Sequence, residues 1–595
     1  MNENQKKQLL EEAKNYLANI REKIIAKIEH RENRTDNMKK ERSGIILSDA
    51  IAQQILMAHN QDQIENLKQL YPSPYFTRCD FTINDEQKIM YFGKFSFSDE
   101  SIYSWITPAA ALRFENPGVA SYGRPDGKTQ TGLIERKDNY MIVDGKILFF
   151  STESTSHPRE LIYQEKFTRQ KSGFILPEVI EQMEKSQDQV IRAHHDGPFI
   201  IAGPAGSGKT TLALHRVAYL IQSPETSEFF RPETILVLVQ DSGSKKYFSQ
   251  LLPDLGIKGV EIITFAQWSQ TILKLEDHNL LTDYETSEEE KIKYEYAKLK
   301  ALSELPLIDY NNNIYRLLEK IYDQYFTPKQ KNIFTWQKQK KLLDRFDFTI
   351  LLACYQKQHG QFKIEKEYYE QLSDGRHRKR KISFPAQYNL IIVDEFQNYL
   401  PQQLAILNSC INPRLKSLVY VGDLSQQTQL GTIRNLASIG IEINQERLVK
   451  LEKVYRNTKE ILNYIKKIGY QIEVPDQIKN GVPVIEKELE NIPSEIEYIT
   501  KQLTEKNVAV GILSRHKDYL AQFKEHFKND HTIHCLSFYE AQGVEFDCVF
   551  IVGPTKTPAV YAGVTTELMT EISAIEKDLL YVALTRAISK LYILS

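Results

Sequence analysis

The chain has little cysteine, no long apolar run and no excess of charge of either sign. Its five cysteines are odd in number and none is spaced Cys-x-x-Cys, so neither a disulfide framework nor a zinc site is indicated. No apolar run approaches the roughly 20 residues of a membrane span, and the polar start MNENQKKQLL predicts no signal peptide. We therefore expect buried free thiols in a reducing cytoplasm and no membrane segment.

Charge is nearly balanced over the 595 residues. Lys and Arg number 76 against 78 Asp and Glu, which gives a net charge of −2. A chain with this balance does not coat nucleic acid by bulk charge, so any polyanionic partner must meet a local basic surface. The length predicts several domains of an ordinary globular protein.

The N-terminal third divides into two regions of different texture. Apolar residues recur at helical spacing in residues 1–68, which predicts a helical arm, either a hairpin or a coiled coil. The arm either packs on its own body or projects as a probe. In residues 69–172, aromatic and β-branched residues alternate with polar ones, which predicts a small β-rich module.

The remainder has an α/β texture. Short apolar runs separated by amphipathic helices predict parallel strands covered on both faces. The candidate strands are Phe199–Ala202, Thr234–Val239, Leu390–Val393, Ser417–Val421, Val508–Leu513 and Val549–Val552. Residues 276–385 are charged, rich in Tyr and Lys, and lack such runs, so we interpret them as a helical insertion.

A phosphate-binding pattern follows the first of these strands. The segment GPAGSGKTT fits GxxxxGK[ST] between a strand and a helix. Backbone N–H groups of such a loop, together with the helix N-terminus, suit phosphate oxygens. Lys209 is expected at the β- and γ-phosphates of ATP, and the Thr210 hydroxyl at Mg²⁺. The predicted ATP-binding residues are Gly203, Ala205, Gly206, Ser207, Gly208, Lys209, Thr210 and Thr211.

Two acidic residues end the strand Leu390–Val393. Ligands of α/β sheets bind at the carboxyl ends of the strands. We therefore predict that Asp394 holds Mg²⁺ with Thr210, and that Glu395 orients or deprotonates the attacking water.

Several further motifs occur in an order that resembles the UvrD/Rep helicases of superfamily 1. They are DEFQ, VGDLSQQ, VYRNT, EAQGVEFD and YVALTRA. The resemblance implies two RecA-like P-loop NTPase domains with ATP between them. It also implies a role for six residues: adenine recognition by Gln187, coupling of phosphate to DNA by Gln397, phosphate sensing by Gln426, a ribose contact by Glu545, and arginine fingers at Arg456 and Arg586.

The N-terminal third resembles HelD-type proteins, the helicase IV-like ATPases that bind bacterial RNA polymerase. The stretches SPYFTRCDF and YFGKFSF carry this similarity. It implies that the N-terminal arm contacts RNA polymerase. The predicted domains are an arm at 1–68, a β-rich module at 69–172, a first motor domain at 173–275 and 386–440, an insertion at 276–385, and a second motor domain at 441–595.

Features with which the family handles DNA are altered. About 80 residues separate YRNT from QGVEF, which leaves no room for a large second accessory domain. The aromatic residues on which bases stack are absent after VGDLSQQ, which weakens the grip on a single strand. For the run Arg376–Lys381, phosphate binding and a solvated loop remain open. The candidate nucleic-acid contacts are Lys245, Lys246, Thr264, Phe265, Arg378, Lys379 and Arg380.

The sequence as a whole predicts a motor that depends on ATP and Mg²⁺. Its hydrolysis would drive movement on DNA, remodelling of RNA polymerase complexes, or both. Two alternatives stay open. One is a nucleotide-gated RNA polymerase-binding factor with little or no unwinding activity, and the other is a nucleic-acid motor in phage defence.

Overall fold

The chain forms two compact units. In the computed structural model, the first unit comprises Met1–Ala193, Leu214–Arg231 and Gln250–Lys258, and the second comprises His194–Ala213, Pro232–Ser249 and Gly259–Ser595. The residues that the structure describes are 3–40, 47–124, 128–154, 185–204, 207–240, 245, 248–249, 252–253, 255–282, 284–371, 377–440, 445–451, 457–470, 472, 474, 478–503, 508–542, 544–553 and 564–594.

The first unit pairs a helical arm with an antiparallel sheet. Its elements are α1 (Glu3–Lys40), α2 (Leu47–Leu70), β1 (Thr77–Ile83), β2 (Glu86–Gly93), β3 (Ile102–Ser104), β4 (Gly118–Gly123), β5 (Thr129–Val143), β6 (Lys146–Ser154) and α3 (Lys185–Arg192). The strand order is β3-β2-β1-β5-β4, and β6 also pairs with β5. Only the short contact between β2 and β3 is parallel among these strand pairs.

The apolar face of α1 explains how the arm is held. Leu17, Ile20 and Ile24 are buried at helical spacing and share a core with residues of the sheet. The Tyr16 ring stacks on that of Tyr91, with 4.3 Å between the ring centroids. The predicted N-terminal helical arm is therefore confirmed, and its first half packs against the sheet.

The second unit contains two parallel sheets and an insertion. Its strands are β7 (Pro198–Ala202), β8 (Ile235–Val239), β9 (Glu261–Thr264), β10 (Asn279–Leu280), β11 (Leu342–Leu343), β12 (Lys363–Gln371), β13 (His377–Pro385), β14 (Leu390–Asp394), β15 (Ser417–Gly422), β16 (Leu448–Lys450), β17 (Ile485–Lys487), β18 (Val510–Ser514), β19 (Ile533–Ser537), β20 (Phe546–Ile551) and β21 (Ala587–Leu594). The helices from the phosphate loop onward are α4 (Lys209–Gln222), α5 (Phe265–Leu273), α6 (Glu288–Ser303), α7 (Ile314–Tyr322), α8 (Pro328–Gln339), α9 (Arg345–His359), α10 (Pro401–Ser409), α11 (Lys459–Lys467), α12 (Ile492–Gln502), α13 (Ala521–His526) and α14 (Thr566–Thr585).

Both large sheets are parallel throughout. The first has the order β16-β7-β15-β14-β8-β9, and the second has the order β17-β21-β20-β18-β19. Every residue of β8, β14 and β15 is buried, as near-continuous apolar strands covered on both faces require. The α/β fold class is confirmed.

One predicted domain boundary does not coincide with the sheets. The sequence assigned residues from 441 onward to the second motor domain. However, β16 pairs with β7 and extends the first sheet to Lys450. Three residues are too few to leave a recognisable pattern of burial in the sequence.

The insertion is only partly helical. Helices α6 to α9 share one hydrophobic core with β7, β8 and β14, so the insertion is packed on the first sheet. Inside it, Lys298 is fully buried and donates to Asp344 Oδ2 at 2.6 Å and to both oxygens of Asp347 at 2.9 Å. The prediction of a helical insertion is incomplete, because β10 and β11 form a short parallel pair within it, and β12 and β13 form a two-stranded antiparallel ribbon at its C-terminal end.

Candidate nucleotide site

The phosphate loop begins where β7 ends. Gly203 approaches another backbone closely, because a Cβ built there would lie 2.5 Å from the Leu451 carbonyl oxygen. Gly208 has a φ of +83°, a conformation that glycine adopts without strain. Lys209 is buried at the start of α4 and donates to the Pro204 carbonyl at 3.0 Å. Ser207 and Thr211 are buried beside it, whereas Ala205 and Gly206 lie outside the described residues.

Thr210 and Asp394 meet at the carboxyl edge of the first sheet. The Thr210 hydroxyl donates to Asp394 Oδ1 at 3.1 Å, although the two residues are 184 positions apart. Burial and, to a smaller extent, the adjacent Glu395 raise the pKa of Asp394 to about 8. A hydroxyl and a carboxylate are donors that suit Mg²⁺, and a cation would offset the cost of burying this carboxylate. The residues present therefore fit the predicted metal.

Glu395 occupies a strained position directly after β14. Its φ is +50°, in the left-handed region that few non-glycine residues adopt. The Gln397 side chain is fully buried and donates to Glu395 Oε2 at 2.5 Å. The neighbouring amide therefore fixes the carboxylate that the sequence predicts as the water-activating group.

A chain of hydrogen bonds continues from Gln397 to Gln426. The Asp423 N–H donates to Gln397 Oε1 at 3.1 Å, and Gln426 Nε2 donates to Asp423 Oδ2 at 2.6 Å. A Cβ at Gly422 would collide with Gln397 Oε1, so glycine is needed at the end of β15. The structure thus brings Glu395, Gln397 and Gln426 together, and Asp423 links them although no sequence prediction included it.

The segment after Gln426, which we call the connecting segment (residues 427–434), leaves the first sheet and reaches the second. Leu430 is buried in the core of the second sheet. The Gln427 N–H donates to Asp578 Oδ2 at 3.2 Å, and the Gly431 N–H donates to Glu571 Oε1 at 2.7 Å. The two acids lie seven positions apart on α14, on one face of the helix. Sequence reasoning missed both, since an acid on an amphipathic helix has no distinguishing pattern.

Arg586 lies at the C-terminal end of α14 and is buried. Its guanidinium donates to the carbonyls of Val582 at 3.0 Å and Val544 at 3.3 Å. The Phe546 N–H donates to the Arg586 carbonyl at 3.0 Å. Glu545 therefore lies between two residues, Val544 and Phe546, that are each hydrogen-bonded to Arg586.

Arg456 lies outside the described residues, but the residue after it is described. Asn457 Nδ2 donates to the carbonyls of Thr585 at 3.1 Å and Ala587 at 2.6 Å. These carbonyls flank Arg586, so the backbone that follows Arg456 is tied to Arg586. The signal for Asn457 was its place in VYRNT.

Gln187 lies in α3 of the first unit and is partly buried. In the same helix, Arg192 donates to Asp188 Oδ2 at 2.7 Å and to the Trp105 carbonyl at 2.7 Å. This helix is therefore bound to the β-rich module of its own unit.

The candidate nucleic-acid residues have varied surroundings. Thr264 caps α5, since its hydroxyl accepts from the Gln267 N–H at 3.2 Å, and Lys245 Nζ donates to Gln267 Oε1 at 3.1 Å. Phe265 is buried in the core beside Trp268, which excludes it as an exposed platform for a base in this structure. Lys246 lies outside the described residues.

The basic run lies on a strand and not in a loop. Arg378, Lys379 and Arg380 belong to β13 and are exposed, so the solvated-loop interpretation is wrong for the described part of the run. Arg376 lies outside the described residues.

Three family models match this chain. Residues 183–428 match the UvrD/REP helicase N-terminal domain, residues 10–161 match the N-terminal domain of DNA helicase IV HelD, and residues 363–595 match the viral superfamily 1 RNA helicase core domain. ATP-dependent DNA helicase PcrA of Staphylococcus epidermidis is 24% identical over 312 residues, which cover 48% of this chain and 39% of PcrA. PcrA of Staphylococcus aureus is 23% identical over 309 residues, with the same coverage. The chain thus spans less than half the length of these curated relatives.

The fold and the site define a P-loop NTPase with two parallel α/β sheets, the class to which superfamily 1 helicases belong. Within that class, the matches support a UvrD/Rep helicase of superfamily 1 that is HelD-like in its N-terminal region. Among the described residues, no helix has the length and apolarity needed to cross a bilayer. None of the five cysteines, all of which lie among the described residues, forms a disulfide bond.

Proposed function

We propose that this protein hydrolyses ATP and uses the energy to act on DNA. The observation that carries the proposal is the contact between Thr210 and Asp394, next to a Glu395 held in place by Gln397. A hydroxyl from the phosphate loop and two strand-end acids on one sheet edge form the constellation that phosphoryl transfer requires.

The chain's own residues account for binding and activation of the reactants. Loop N–H groups and the start of α4 hold the phosphates, and Lys209 exchanges its bond with the Pro204 carbonyl for one with a phosphate oxygen. Glu395 accepts a proton from the attacking water through one carboxylate oxygen, while Gln397 holds the other oxygen, Oε2, in place. Mg²⁺, held by Thr210 and Asp394 when it is bound, supplies positive charge that stabilises the developing negative charge.

Coupling to movement runs through the connecting segment. A change at Glu395 alters the hydrogen bonds of Gln397, Asp423 and Gln426, and the next residue is bonded to α14. Arg586 directly follows α14. Direct contacts therefore link the presence or absence of the γ-phosphate to the position of the second sheet. Two bistable elements joined in this way can convert hydrolysis into displacement.

RNA polymerase is a second candidate for the molecule on which the motor acts. The specific observation is the HelD N-terminal match over residues 10–161, together with α1, whose second half extends beyond the buried positions Leu17 to Ile24. In this version the motor resets a complex with the polymerase and unwinds little DNA. The phage-defence alternative stays a prediction.

Phosphate release measured with Glu395→Gln and with Lys209→Ala tests the ATPase. We expect each to lose about 100-fold or more in turnover, while Glu395→Gln still binds a fluorescent ATP analogue. Glu490→Gln is the matched control, since that side chain is exposed. Release by Glu395→Gln at the wild-type rate would refute the assigned site, and turnover indifferent to added DNA would refute DNA as the effector.

The polymerase hypothesis is tested by shortening the arm. Because Thr35 and Asn60 are buried and hydrogen-bonded to each other, only residues 36–59, which lie beyond them, are replaced by a short Gly-Ser turn. We expect the full chain to co-elute with purified bacterial RNA polymerase and the shortened chain not to. Co-elution of both, or of neither, would count against the arm as the contact.

A further inference from the structure

The ribbon formed by β12 and β13 stands out from the body of its unit. Nine pairs of residues face each other, from Lys363 opposite Pro385 to Gln371 opposite His377. Every residue from Arg378 to Pro385 is exposed, whichever face of the strand it lies on. Strand β13 therefore has solvent on both of its faces over these eight residues, whereas Ile364 near the start of β12 is partly buried against the core of the first sheet.

The base of the ribbon is fixed firmly. Phe362 and Ala386 flank it and are buried, and the Ala386 N–H donates to the Phe362 carbonyl at 2.8 Å. The Phe362 ring stacks on Tyr355 and meets Trp268 edge-on. On the ribbon itself, Glu365 pairs with Lys274 at the end of α5. A rigid base makes the ribbon a positioned element and not a loose loop.

The ribbon is basic in a chain that is not. Residues 363–385 contain seven Lys or Arg against four Asp or Glu, whereas the whole chain carries −2. Since side chains alternate along a strand, Arg378 and Arg380 share a face with Ile382 and Phe384. Ile382 is 41% exposed and Phe384 is 45% exposed. One face thus combines two guanidinium groups with two accessible apolar side chains.

Covering this face with a partner would be energetically favourable. A two-stranded ribbon alone is marginally stable in water, and exposed apolar side chains on it gain free energy when they are covered. The excess of Lys and Arg favours a polyanion as the occupant. Two strands lie about 4.8 Å apart, and a ribbon of this kind fits the major groove of B-form DNA, which is about 12 Å wide.

We propose that the two paired strands of the ribbon, β12 and β13, bind in a groove of double-stranded DNA. Arg378 and Arg380 contact phosphates or base edges, and Ile382 and Phe384 contact the apolar groove floor and sugars. An RNA duplex is a poor fit, since its major groove is deep and narrow. The proposal deepens the proposed function, on which it rests for the choice of DNA, by naming duplex DNA as the bound form.

The test compares binding of a blunt 20-base-pair DNA duplex, an RNA duplex of the same sequence and the single DNA strand, all without nucleotide. The variant is Arg378→Gln/Arg380→Gln in the full chain. We expect it to bind duplex DNA about tenfold or more weakly near 0.1 M salt, and the slope of log K against log salt to fall by about two, at about 0.9 per lost phosphate contact. The single strand should lose less affinity.

A second variant covers the case in which the double substitution disturbs the ribbon. Residues 367–381 are replaced by Asn-Gly, which joins the directly opposed Lys366 and Ile382 through a two-residue turn. The matched control is Lys338→Gln/Lys340→Gln, which removes the same charge from exposed positions at the C-terminal end of α8 in the same insertion. Melting temperatures of all variants report folding.

The outcomes are separable from those of the ATPase tests. Weaker duplex binding by both ribbon variants, with the α8 control unchanged, supports the proposal even if no ATPase is found. Unchanged duplex binding overturns it even if the ATPase is confirmed. Equal losses on single strand and duplex, or on RNA and DNA duplexes, would also overturn it, because the ribbon would then not be reading a DNA groove.

Discussion

At the scale of single residues, Lys298 is the side chain most dependent on its partners. It is fully buried between Asp344 and Asp347, and Gln337 and Tyr322 complete the cluster. Burial opposes ionisation of Asp344, but Lys298 outweighs it and holds the pKa of Asp344 below its usual value, whereas burial and Asp344 together raise that of Asp347. One ammonium thus pairs with two carboxyl groups, of which Asp344 ionises more readily and Asp347 less readily than usual.

We expect Lys298→Met to cost about 3–5 kcal/mol of unfolding free energy, since it leaves buried carboxylates without a cation. Urea denaturation at pH 7 measures this loss. The loss should shrink as the pH falls towards 5, because protonation removes the uncompensated charge. Lys338→Met, which breaks only the exposed pair with Glu319, should cost less than about 1 kcal/mol. Equal costs for the two variants would contradict the argument.

Residues also mark the limit of what the sequence could predict about the site. Lys209, Thr210 and Asp394 were predictable, since a loop motif and a strand-end acid fix their type and place. The left-handed φ of Glu395 and the role of Asp423 were not, because they depend on the Gln397 side chain, which contacts Glu395 and also the Asp423 N–H at the end of the neighbouring strand β15. Phe265 was predicted as a nucleic-acid contact, but its ring faces the core.

At the scale of elements, the connecting segment (residues 427–434) links the two sheets through Asp578. Burial, assisted by Asp423 and opposed by the Gln427 N–H, Arg434 and Lys577, raises the pKa of Asp578 to about 7. A raised pKa means that the protonated form fits the fold better. Its stabilising contribution is therefore complete below the ordinary carboxyl pKa and is lost as the pH rises through about 7.

Asp578→Asn should consequently gain stability relative to the wild type as the pH rises from 5.5 to 8.5, because the amide stays neutral and can still accept from Gln427. Melting temperatures across this range test the prediction. Asp518→Asn, at an exposed position after β18, is the control and should show no such trend. A constant difference between Asp578→Asn and the wild type would show that Asp578 is not titrating in this range.

Elements differ in how far the sequence could predict them. Strands β7, β8, β14 and β15 were predictable because their residues are buried on both sides, which demands a run of apolar side chains. The ribbon was not, since the described side chains of β13 from Arg378 to Pro385 are all exposed and the two strands owe their extended form to pairing with each other. Burial leaves a signature in the sequence, and pairing between two exposed strands leaves almost none.

At the scale of the whole molecule, the second unit holds the two sheets that the proposed motor must move. If ATP draws the sheets together through Arg456 and Arg586, dyes on Lys416→Cys and Lys487→Cys should report a higher energy-transfer efficiency when ATP is added to Glu395→Gln. Both positions are exposed, and most native thiols are buried; burial raises the pKa of Cys535, the exception, to about 11, so background labelling is low.

Arg456→Ala in this background should bind ATP yet lose the change in efficiency. Arg414→Ala, an exposed arginine near the end of the first sheet, is the control and should keep the change. If Arg456→Ala closes as fully as the control does, the arginine has no part in drawing the sheets together.

The ribbon has a consequence for how such a protein can acquire a new specificity. Its two ends meet at the bond between Ala386 and Phe362, so the chain leaves the body and re-enters it at one point. Only the four residues 386–389 separate the ribbon from β14, which ends at Asp394. The length and the tip of such a hairpin can therefore change without shifting the register of any buried strand. The recognition surface and the energy-converting site can therefore evolve, or be engineered, independently of each other.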